Sequence, residues 1–364
     1  MARVPNPSPA APGAGSVSRT VRTWGAKVGP AVRGFLRVMR ANPLTLIGFL
    51  MVVVIVVLAA LIAVVPAVTE AVTGHPSSIL PYDPNYFPSP CPSRTIQTSN
   101  GSYDTCTLPP SLQHLLGTDN LGRDVFSRVF AALPLDLAIG FSITGFAALL
   151  GGALGLVAGY WDRPRTFGGV LSAVILRLTD IFLAFPSLVL ALAIAATLGR
   201  GTLSSVLAIL LTWWPYYVRL VRGEVLVVKH LPYVVAAKAA GVSDVRILFR
   251  HVLRNILEPI VIYYTLDVGT VLVTFSTISF IGIGVPLLVP EWGNMVEYYY
   301  TQNLMGLAPW TILAAGGAIF MTALAFSLLG DGLRDVLDPR SRRALVQAAV
   351  PTKIAVSSAA PAEA

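Results

Sequence analysis

Long stretches without a charged residue alternate with short polar segments along most of the chain. The first runs from Leu44 to Val65, and these 22 residues would form a helix of about 33 Å at roughly 1.5 Å per residue, enough to cross a hydrocarbon core of roughly 30 Å. Similar apolar windows recur further along. We therefore predict six membrane spans, at 44–66, 132–160, 168–198, 202–222, 253–283 and 308–332.

The predicted spans are α-helices. An open strand in lipid would leave its backbone amides unpaired, and the alternating segments of about ten residues that are typical of a membrane barrel are absent from the sequence. Composition agrees, because 55% of the residues are hydrophobic and 12% are charged, whereas soluble domains carry about 25% charged residues. The predicted fold class is an all-α polytopic membrane protein with six transmembrane helices.

The cations lie almost entirely on one side of this topology. If the N-terminus is cytoplasmic, 22 of the 26 Lys and Arg residues fall in inner segments, and four fall outside, namely Arg94, Arg123, Arg128 and Arg200. Cytoplasmic segments of membrane proteins carry such an excess. We therefore predict a multi-pass protein of the plasma membrane with both termini in the cytoplasm. The net charge of +8 does not indicate a nucleic-acid partner, because the cations are confined to loops and tails beside the lipid bilayer.

The segments around the spans differ in composition. Residues 1–43 contain seven basic side chains, no acidic one and a start rich in Pro and Ala, which predicts a partly disordered cytoplasmic tail. Residues 67–131 form an extracytoplasmic loop together with the segment before the second span. Spans two to six belong to a core at 132–340 that includes a cytoplasmic loop at 223–252. A second cytoplasmic tail follows at 341–364.

Both cysteines of the chain lie in the extracytoplasmic loop. Cys91 and Cys106 are 15 positions apart, and the compartment outside the cytoplasm is oxidising, so we predict a disulfide. Closing such a ring contributes about 3 kcal/mol in the chain-entropy model. The alternative is two free thiols.

One cytoplasmic segment, residues 231–246, predicts a short helix outside the bilayer. Pro232 suits a first helical turn, the alanine-rich run favours helix, and Gly241 suits a C-terminal stop. The outer surface would be small and apolar around three alanines, Ala236, Ala237 and Ala240. Two interpretations remain open, since the helix could insert into a groove on a cytoplasmic partner or lie in the membrane interface.

Charged residues and glycines near the spans allow further predictions. Asp124 and Arg128 are four positions apart, which predicts an ion pair on an interfacial helix rather than a contact with solute. Arg177, Asp180 and Asp267 lie in or near apolar spans, where an ionisable group indicates a pathway, a buried pair or a contact with lipid headgroups. Four glycines are predicted to let helices approach closely, Gly151, Gly152, Gly155 and Gly159.

Five segments together resemble one family of membrane proteins. They are Gly117–Asp124, Asp180–Pro186, Ala236–Gly241, Ser279–Gly284 with Trp292–Asn294, and Gly330–Arg340. In this order they are similar to the C-type membrane subunit of the ABC importer permeases for dipeptides, oligopeptides and nickel. The resemblance covers about residues 42–340 without 67–110. The sequence differs from the family pattern at Val235, where Glu is usual, and at Arg254 and Ser327.

The resemblance implies a type I ABC importer permease fold and a transport subunit rather than an enzyme. It implies no catalytic or metal-binding residue in this chain, with ATP and Mg held by partners. Those partners are a homologous B-type permease subunit, two cytoplasmic ATPase subunits and an extracytoplasmic solute-binding protein, near which the disulfide-bonded loop would lie. The helix that couples to the ATPases would use Pro232, Tyr233, Ala236, Ala237, Lys238, Gly241 and Asp244.

Other functions fit the sequence less well. The sequence contains no G-x-x-x-x-G-K-[ST] motif, so the chain has no phosphate-binding loop of this kind. An ATP-independent ion-gradient transporter or channel, the alternative function, would show inverted repeats and paired intramembrane charges, and neither pattern is found. An intramembrane enzyme would need a nucleophile and a base within a span, but the histidines lie outside the apolar runs, at His75, His114, His230 and His251.

Overall fold

Helices account for most of the residues that the structure describes. This computed structural model describes residues 43–337 except 74, 76, 90, 92–93, 99–100, 164 and 287. The elements are, in order, α1 (Pro43–Thr73), β1 (Arg94–Thr98), β2 (Gly101–Thr105), α2 (Val125–Tyr160), α3 (Phe167–Leu183), α4 (Ser187–Leu198), α5 (Thr202–Val228), α6 (Pro232–Ala239), α7 (Asp244–Ile247), α8 (Leu253–Phe280), α9 (Trp292–Thr301), α10 (Leu304–Leu307) and α11 (Pro309–Leu337). The predicted tails, apart from Pro43, and the final motif residues 338–340 lie outside the described residues.

Four helices are long and apolar enough to cross a membrane. They are α1, α2, α11 and the continuous helical run from Asp244 to Phe280, which contains α7, a five-residue π-helical segment and α8. Length and apolarity do not confirm the other two predicted spans, 168–198 and 202–222. The bent pair α3 and α4 counts as a fifth crossing if it is treated as one span, and α5 does not reach the same apolarity within the described part of the chain.

The third predicted span, 168–198, is broken in the middle. The axes of α3 and α4 meet at 87°, with the break at residues 184–186. Pro186 explains the break, because proline has no N–H to donate and disfavours helical backbone at the residue before it. Pro186 instead has an extended backbone, with ψ 122°, and α4 begins after it.

The helix α5 is less apolar than a typical span because its centre is aromatic and polar. The run Trp213-Trp214-Pro215-Tyr216-Tyr217 replaces the aliphatic residues found in α1. All five except Tyr216 are buried, so this part of α5 contacts protein rather than solvent or lipid. Hydropathy alone therefore undervalues a helix whose polar groups are satisfied inside the bundle.

Glycines bring α2 and α5 close together. A Cβ atom built on Gly155 would lie 2.8 Å from the carbonyl oxygen of Val218, and one on Gly159 would lie 2.7 Å from Cβ of Val225. Gly151 faces the Trp214 carbonyl in the same way. Side chains at these positions would force the two helices apart. The prediction that these glycines serve helix packing is confirmed for Gly151, Gly155 and Gly159. It is not confirmed for Gly152, where a Cβ atom would lie 4.0 Å from its nearest neighbour.

The buried core lies where α2, α5 and α8 meet. Ile143, Ile209 and Phe275 come from these three helices, and each is at most 2% exposed. On the other side of α2, the indole N–H of Trp292 donates to the carbonyl of Val129 at 2.9 Å and fixes the start of α9. By contrast, α1 buries few of its residues and exposes a largely aliphatic surface, which suits contact with lipid.

The segment between α1 and α2 contains a β-hairpin, so the prediction of an all-α fold holds for the spans but not for this segment. Strands β1 and β2 pair antiparallel, with Arg94 opposite Thr105 and Thr98 opposite Gly101. Each strand has five residues. A sheet of two strands is possible outside the bilayer, because water can form hydrogen bonds with the unpaired N–H and C=O groups along its edges. A disulfide joins Cys91 to Cys106 across the base of the hairpin, with the Cα atoms 5.6 Å apart.

The hairpin is attached to the turn that precedes α2. The hydroxyl of Thr118 donates to the carbonyl of Cys106 at 2.8 Å and accepts from the amide of Leu108 at 2.7 Å. The Thr118 carbonyl in turn accepts from the indole of Trp310 at 3.4 Å. The disulfide-bonded loop is therefore fixed to both α2 and α11.

The predicted ion pair between Asp124 and Arg128 does not form. Asp124 lies before the helix and caps it, because its carboxylate accepts from the amide of Ser127 at 2.7 Å and from His114 Nδ1 at 2.8 Å. The charge pair at this spacing is instead Arg123 with Asp119, at 2.7 Å and almost fully buried. Arg128 donates to the carbonyl of Pro84 at 2.9 Å. The interpretation as a structural segment stands, with different partners.

We expect the disulfide to protect the hairpin from proteolysis. With both Cys91 and Cys106 replaced by serine, protease cleavage between these positions should become at least tenfold faster, because closing a ring of this size contributes about 3 kcal/mol. Timed proteolysis in detergent followed by mass spectrometry measures the rate. Wild-type protein treated with a reductant should behave like the double variant, and equal rates for oxidised wild type and variant would contradict the prediction.

Candidate coupling site

The short helix α6 begins where the sequence predicts. Leu231 has an extended backbone before the helix, and Pro232 occupies the first helical position. The carbonyl of Leu231 accepts from the amides of Val234 and Val235 at 2.9 and 3.1 Å. Proline costs nothing at this position, since an amide in the first turn has no partner within the helix. The start of α6 is thus set by local chemistry.

The end of α6 is set by Gly241. Its φ of +81° is the left-handed conformation that glycine adopts without strain. The amide of Gly241 donates to the carbonyl of Lys238 at 3.1 Å. The amide of Val242 donates to the carbonyl of Ala237, also at 3.1 Å. These two bonds form a Schellman motif. The chain therefore reverses sharply after Ala240 and enters α7.

One apolar side chain anchors α6 to the bundle. Val234 is 3% exposed and packs into a cluster at the end of α2, α5 and α8, which also contains Leu156, Val221, Val225, Val228, Ile247, Leu248, Val252 and Ile256. Ala237, one turn further along, packs against the same cluster. Ala237 was predicted on the outer surface of the helix, and this prediction is wrong because residues three positions apart share the buried side of α6.

Polar contacts join α7 and the end of α5 to the end of α2, and α6 to α7. The hydroxyl of Tyr160 donates to the Asp244 carboxylate at 2.7 Å, and Lys238 forms an ion pair with that carboxylate at 3.5 Å. The ammonium of Lys229 donates to the carbonyl of Gly159 at 2.8 Å. Burial lowers the pKa of Lys229, because a desolvated ammonium loses its hydration. These contacts brace the loop against the end of α2.

The opposite side of this loop is exposed and apolar. We call it the docking face and define it by its exposed members, Tyr233, Val235, Ala236, Ala239, Ala240, Val245 and Phe249. Val235, Val245 and Phe249 are 54%, 57% and 61% exposed. An exposed apolar surface of this kind marks an interaction site more often than a free surface. Val235, at the position where the family that the sequence resembles usually has Glu, adds to this apolar area.

Most of the predicted coupling residues lie on this loop surface. Pro232, Tyr233, Ala236, Lys238 and Gly241 are exposed, whereas Ala237 and Asp244 are half-buried. Gly241 ends the helix rather than forming the docking face.

Sequence reasoning missed Val234, Val245, Phe249 and Tyr160. The four-residue spacing of Val245 and Phe249 is a helical signal that could have located the second half of the docking face. No group of three metal-binding side chains converges anywhere in the described range 43–337.

The two acids predicted near the apolar spans have different surroundings. Asp180 forms an ion pair with Arg219 at 2.9 Å, and both side chains are more than half exposed. Asp267 is 4% exposed and accepts hydrogen bonds from Trp213 and Tyr217. Neither acid forms the buried charge pair that was one of the alternatives within the described part of the chain, because Asp180 lies in an exposed ion pair and Asp267 is buried beside neutral donors. The pathway and the headgroup contact stay predictions.

Comparison with known families gives a match over the second half of the chain. Residues 151–343 match the family described as "Binding-protein-dependent transport system inner membrane component". The match begins at the glycines of α2 and includes residues 223–252 with α6 and α7, followed by α8 and α11.

Two curated relatives are similar over a longer range. The glutathione transport system permease protein GsiD of Pectobacterium atrosepticum is 38% identical over 263 residues, which cover 72% of this chain and 80% of that protein. The dipeptide transport system permease protein DppC of Alkalihalophilus pseudofirmus is 40% identical over 233 residues, covering 64% and 74%. A solved inward-facing structure of the MetNI methionine ABC transporter matches 59% of this chain and 96% of its own, with 17% identity and a TM-score of 0.47.

Proposed function

Because the chain belongs to the family of inner membrane components of binding-protein-dependent transport systems, we propose that it is the C-type permease subunit of an ATP-driven ABC importer. Its solutes would be peptides or similar oligomeric molecules, as the names of its glutathione and dipeptide relatives suggest. The observation that carries the proposal is the docking face, an exposed apolar surface on a short helix braced against the ends of the spans.

We propose that the chain crosses the membrane six times, through α1, α2, the bent pair α3 and α4, α5, α8 and α11. Although α5 is less apolar than the others, it packs along α2, and its polar aromatic groups are bonded inside the bundle. The distribution of cations supports cytoplasmic termini and a cytoplasmic position for α6. The hairpin between α1 and α2 would then lie outside the cell membrane.

The proposed complex contains one homologous B-type permease subunit and two cytoplasmic ATPase subunits. ATP and Mg would bind to the ATPase subunits, since this chain has no phosphate-binding loop of its own. An extracytoplasmic solute-binding protein would deliver the solute on the side of the disulfide-bonded loop, whose fixed attachment to α2 and α11 supports a docking role.

Force would enter the chain at the docking face. A groove on one ATPase subunit would receive α6 and α7, as grooves receive amphipathic helices in other complexes. Tyr233 and Ala236 would contact the groove, while Pro232 and Gly241 would fix the ends of the helix. Lys238 and Asp244, through Tyr160, would hold the helix against α2. Closure of the ATPases would thereby tilt the spans and alternate access to the pathway.

Reconstitution of the complex tests this proposal. In proteoliposomes containing this chain, its permease partner and both ATPase subunits, we expect ATP hydrolysis to rise at least threefold when the cognate binding protein is loaded with a transported peptide. The same preparation with an unloaded binding protein is the control. Solute uptake by this chain alone, without nucleotide, would contradict the proposal and favour the ATP-independent transporter.

A further inference from the structure

The carboxylate of Asp267 is held in the bundle by neutral donors. The indole N–H of Trp213 lies 3.1 and 2.9 Å from the two carboxylate oxygens, and the hydroxyl of Tyr217 lies 3.0 Å from one of them. An indole can only donate, so Trp213 requires an acceptor at this position. Asp267 is 4% exposed and lies near the middle of α8.

Asp267 has no cationic partner among the residues that the structure describes. The ion pairs of this part of the chain involve other acids, Asp119, Asp124, Asp162, Asp180 and Asp244. An unpaired carboxylate at membrane depth is costly, and ionisable residues in such positions pair with one another or face a cavity. A cationic group of another molecule that came close to the Asp267 carboxylate would therefore bind favourably.

A cavity adjoins the carboxylate. Its volume is about 260 Å³, and its other lining residues are Ser187, Trp213, Tyr216, Tyr263, Leu266 and Thr270. Three of these are aromatic, and aromatic rings attract organic cations. Sites that enclose a drug-sized ligand usually occupy about 300–1,000 Å³. The cavity is thus large enough for one end of a peptide, and the rest of the solute would extend beyond it.

We propose that this cavity binds the protonated primary amine of the transported solute. Asp267 supplies the negative charge, and Trp213, Tyr216 and Tyr263 supply the aromatic wall around the ammonium. Acetylation of the amine removes the charge and leaves the carboxylate unpaired, so the cavity would discriminate free from blocked amines. This inference rests on the proposed transport function, because it requires a solute to pass along this side of α4, α5 and α8.

Thiol labelling tests the electrostatics of the cavity directly. The two native cysteines are bonded to each other, so the substitution Ser187→Cys gives this chain one free thiol in the cavity. We expect an ethylammonium methanethiosulfonate to react faster than its ethylsulfonate counterpart in the assembled, nucleotide-free transporter. Adding Asp267→Asn should lower the ratio of the two rates at least fivefold, whereas Asp267→Glu should retain it. Mass spectrometry of this subunit measures both rates.

A matched control lies on the same helix. Thr277 borders a different cavity, about 15 Å further along α8 for a rise of roughly 1.5 Å per residue. In a Thr277→Cys background, Asp267→Asn should change the ratio by less than twofold. If the ratio in the Ser187→Cys background did not respond to Asp267→Asn, the proposal would be overturned, and equal loss of the ratio in both backgrounds would overturn it as well.

Protection by a small amine completes the test without any change at Asp267. Glycinamide, which carries a protonated amine, should slow labelling of Ser187→Cys at least threefold, and N-acetylglycinamide should not. Equal protection by both probes, or protection by neither, would overturn the proposal even if Asp267→Asn fails to assemble. The labelling assay uses neither ATP nor a binding protein. A failure of the proposed ATP-driven transport would therefore appear in the ATP hydrolysis assay and not in the labelling rates.

Discussion

The substitution Ala236→Glu is expected to reduce ATP-driven uptake at least tenfold. Ala236 is exposed on α6 and lies next to Val235 on the docking face. In the docked complex the new carboxylate would be buried against an apolar groove without a cation, and the effective penalty is several kcal/mol per buried ion. Because about 1.4 kcal/mol corresponds to a factor of ten in affinity, the ATPase subunits should dissociate.

The measurement is uptake of a labelled solute into proteoliposomes, together with the amount of ATPase subunit that copurifies with this chain. Ala236→Ser is the control for size at the same position. Leu112→Glu, at a side chain that is 98% exposed in the segment before α2, is the control for charge. Ala236→Ser should retain at least half of the wild-type uptake, and both controls should copurify with a normal amount of ATPase subunit. Full uptake and normal copurification with Ala236→Glu would show that this helix does not dock.

Ala237 and Gly241 are less suitable for this experiment, although the sequence suggests them first. Ala237 packs into the cluster around Val234, so a charged side chain there would also disturb the bundle. Gly241 has a positive φ that other residues adopt only with strain. A substitution at Ala236 tests docking without disturbing the bundle, because its side chain belongs to the docking face and not to the cluster around Val234.

The substitution Gly155→Leu is expected to lower the yield of assembled transporter at least fivefold. Even a Cβ atom at Gly155 would lie 2.8 Å from the Val218 carbonyl oxygen and 2.9 Å from Cβ of Val221, so α2 and α5 would have to separate. Overpacking of a close interface costs about 1–3 kcal/mol or more. Gly155→Ala should produce a smaller loss in the same direction.

Gly152 provides the matched control for this prediction. It lies on the same helix and faces the same partner, but a Cβ atom there would be 4.0 Å from the nearest atom, a methyl group of Val221. Gly152→Ala should therefore leave both yield and thermal stability unchanged. Yield is measured by size-exclusion chromatography of the complex in detergent, and stability by a thermal aggregation assay. An equal response of Gly152→Ala and Gly155→Ala would show that close helix approach does not explain these glycines.

Local chemistry made α6 predictable. Pro232 and Gly241 act through their own backbones, so the sequence locates both ends of α6 without knowledge of the fold. Val234 could not be recognised as its anchor, because the cluster that buries it is built from residues of three other helices. For the same reason the side of α6 occupied by Ala237 was assigned wrongly.

Hydropathy predicted the long helices well and their interruptions poorly. Averaging over a span conceals one residue such as Pro186, whose effect on the backbone creates the 87° bend. It also undervalues α5, because aromatic residues with polar atoms reduce the mean even when Trp213 and Tyr217 satisfy those atoms internally. The spacing of Asp124 and Arg128 misled for a different reason. The helix begins at Val125, so Asp124 became its cap.

Because α2 and α5 are in close contact, we expect these two helices to move together as one rigid unit. The 36 residues of α2 extend over about 54 Å at roughly 1.5 Å per residue. At one end of the pair, Val234 of α6 packs into the cluster that contains Leu156 of α2 and Val221 of α5, and Asp244 of α7 accepts a hydrogen bond from Tyr160 of α2. Trp213 and Tyr216 of α5, in the same rigid unit, line the cavity beside Asp267. A displacement of α6 by the ATPase subunits should therefore change the width of that cavity. The affinity of the cavity for a solute would then fall at the same stage of the ATPase cycle.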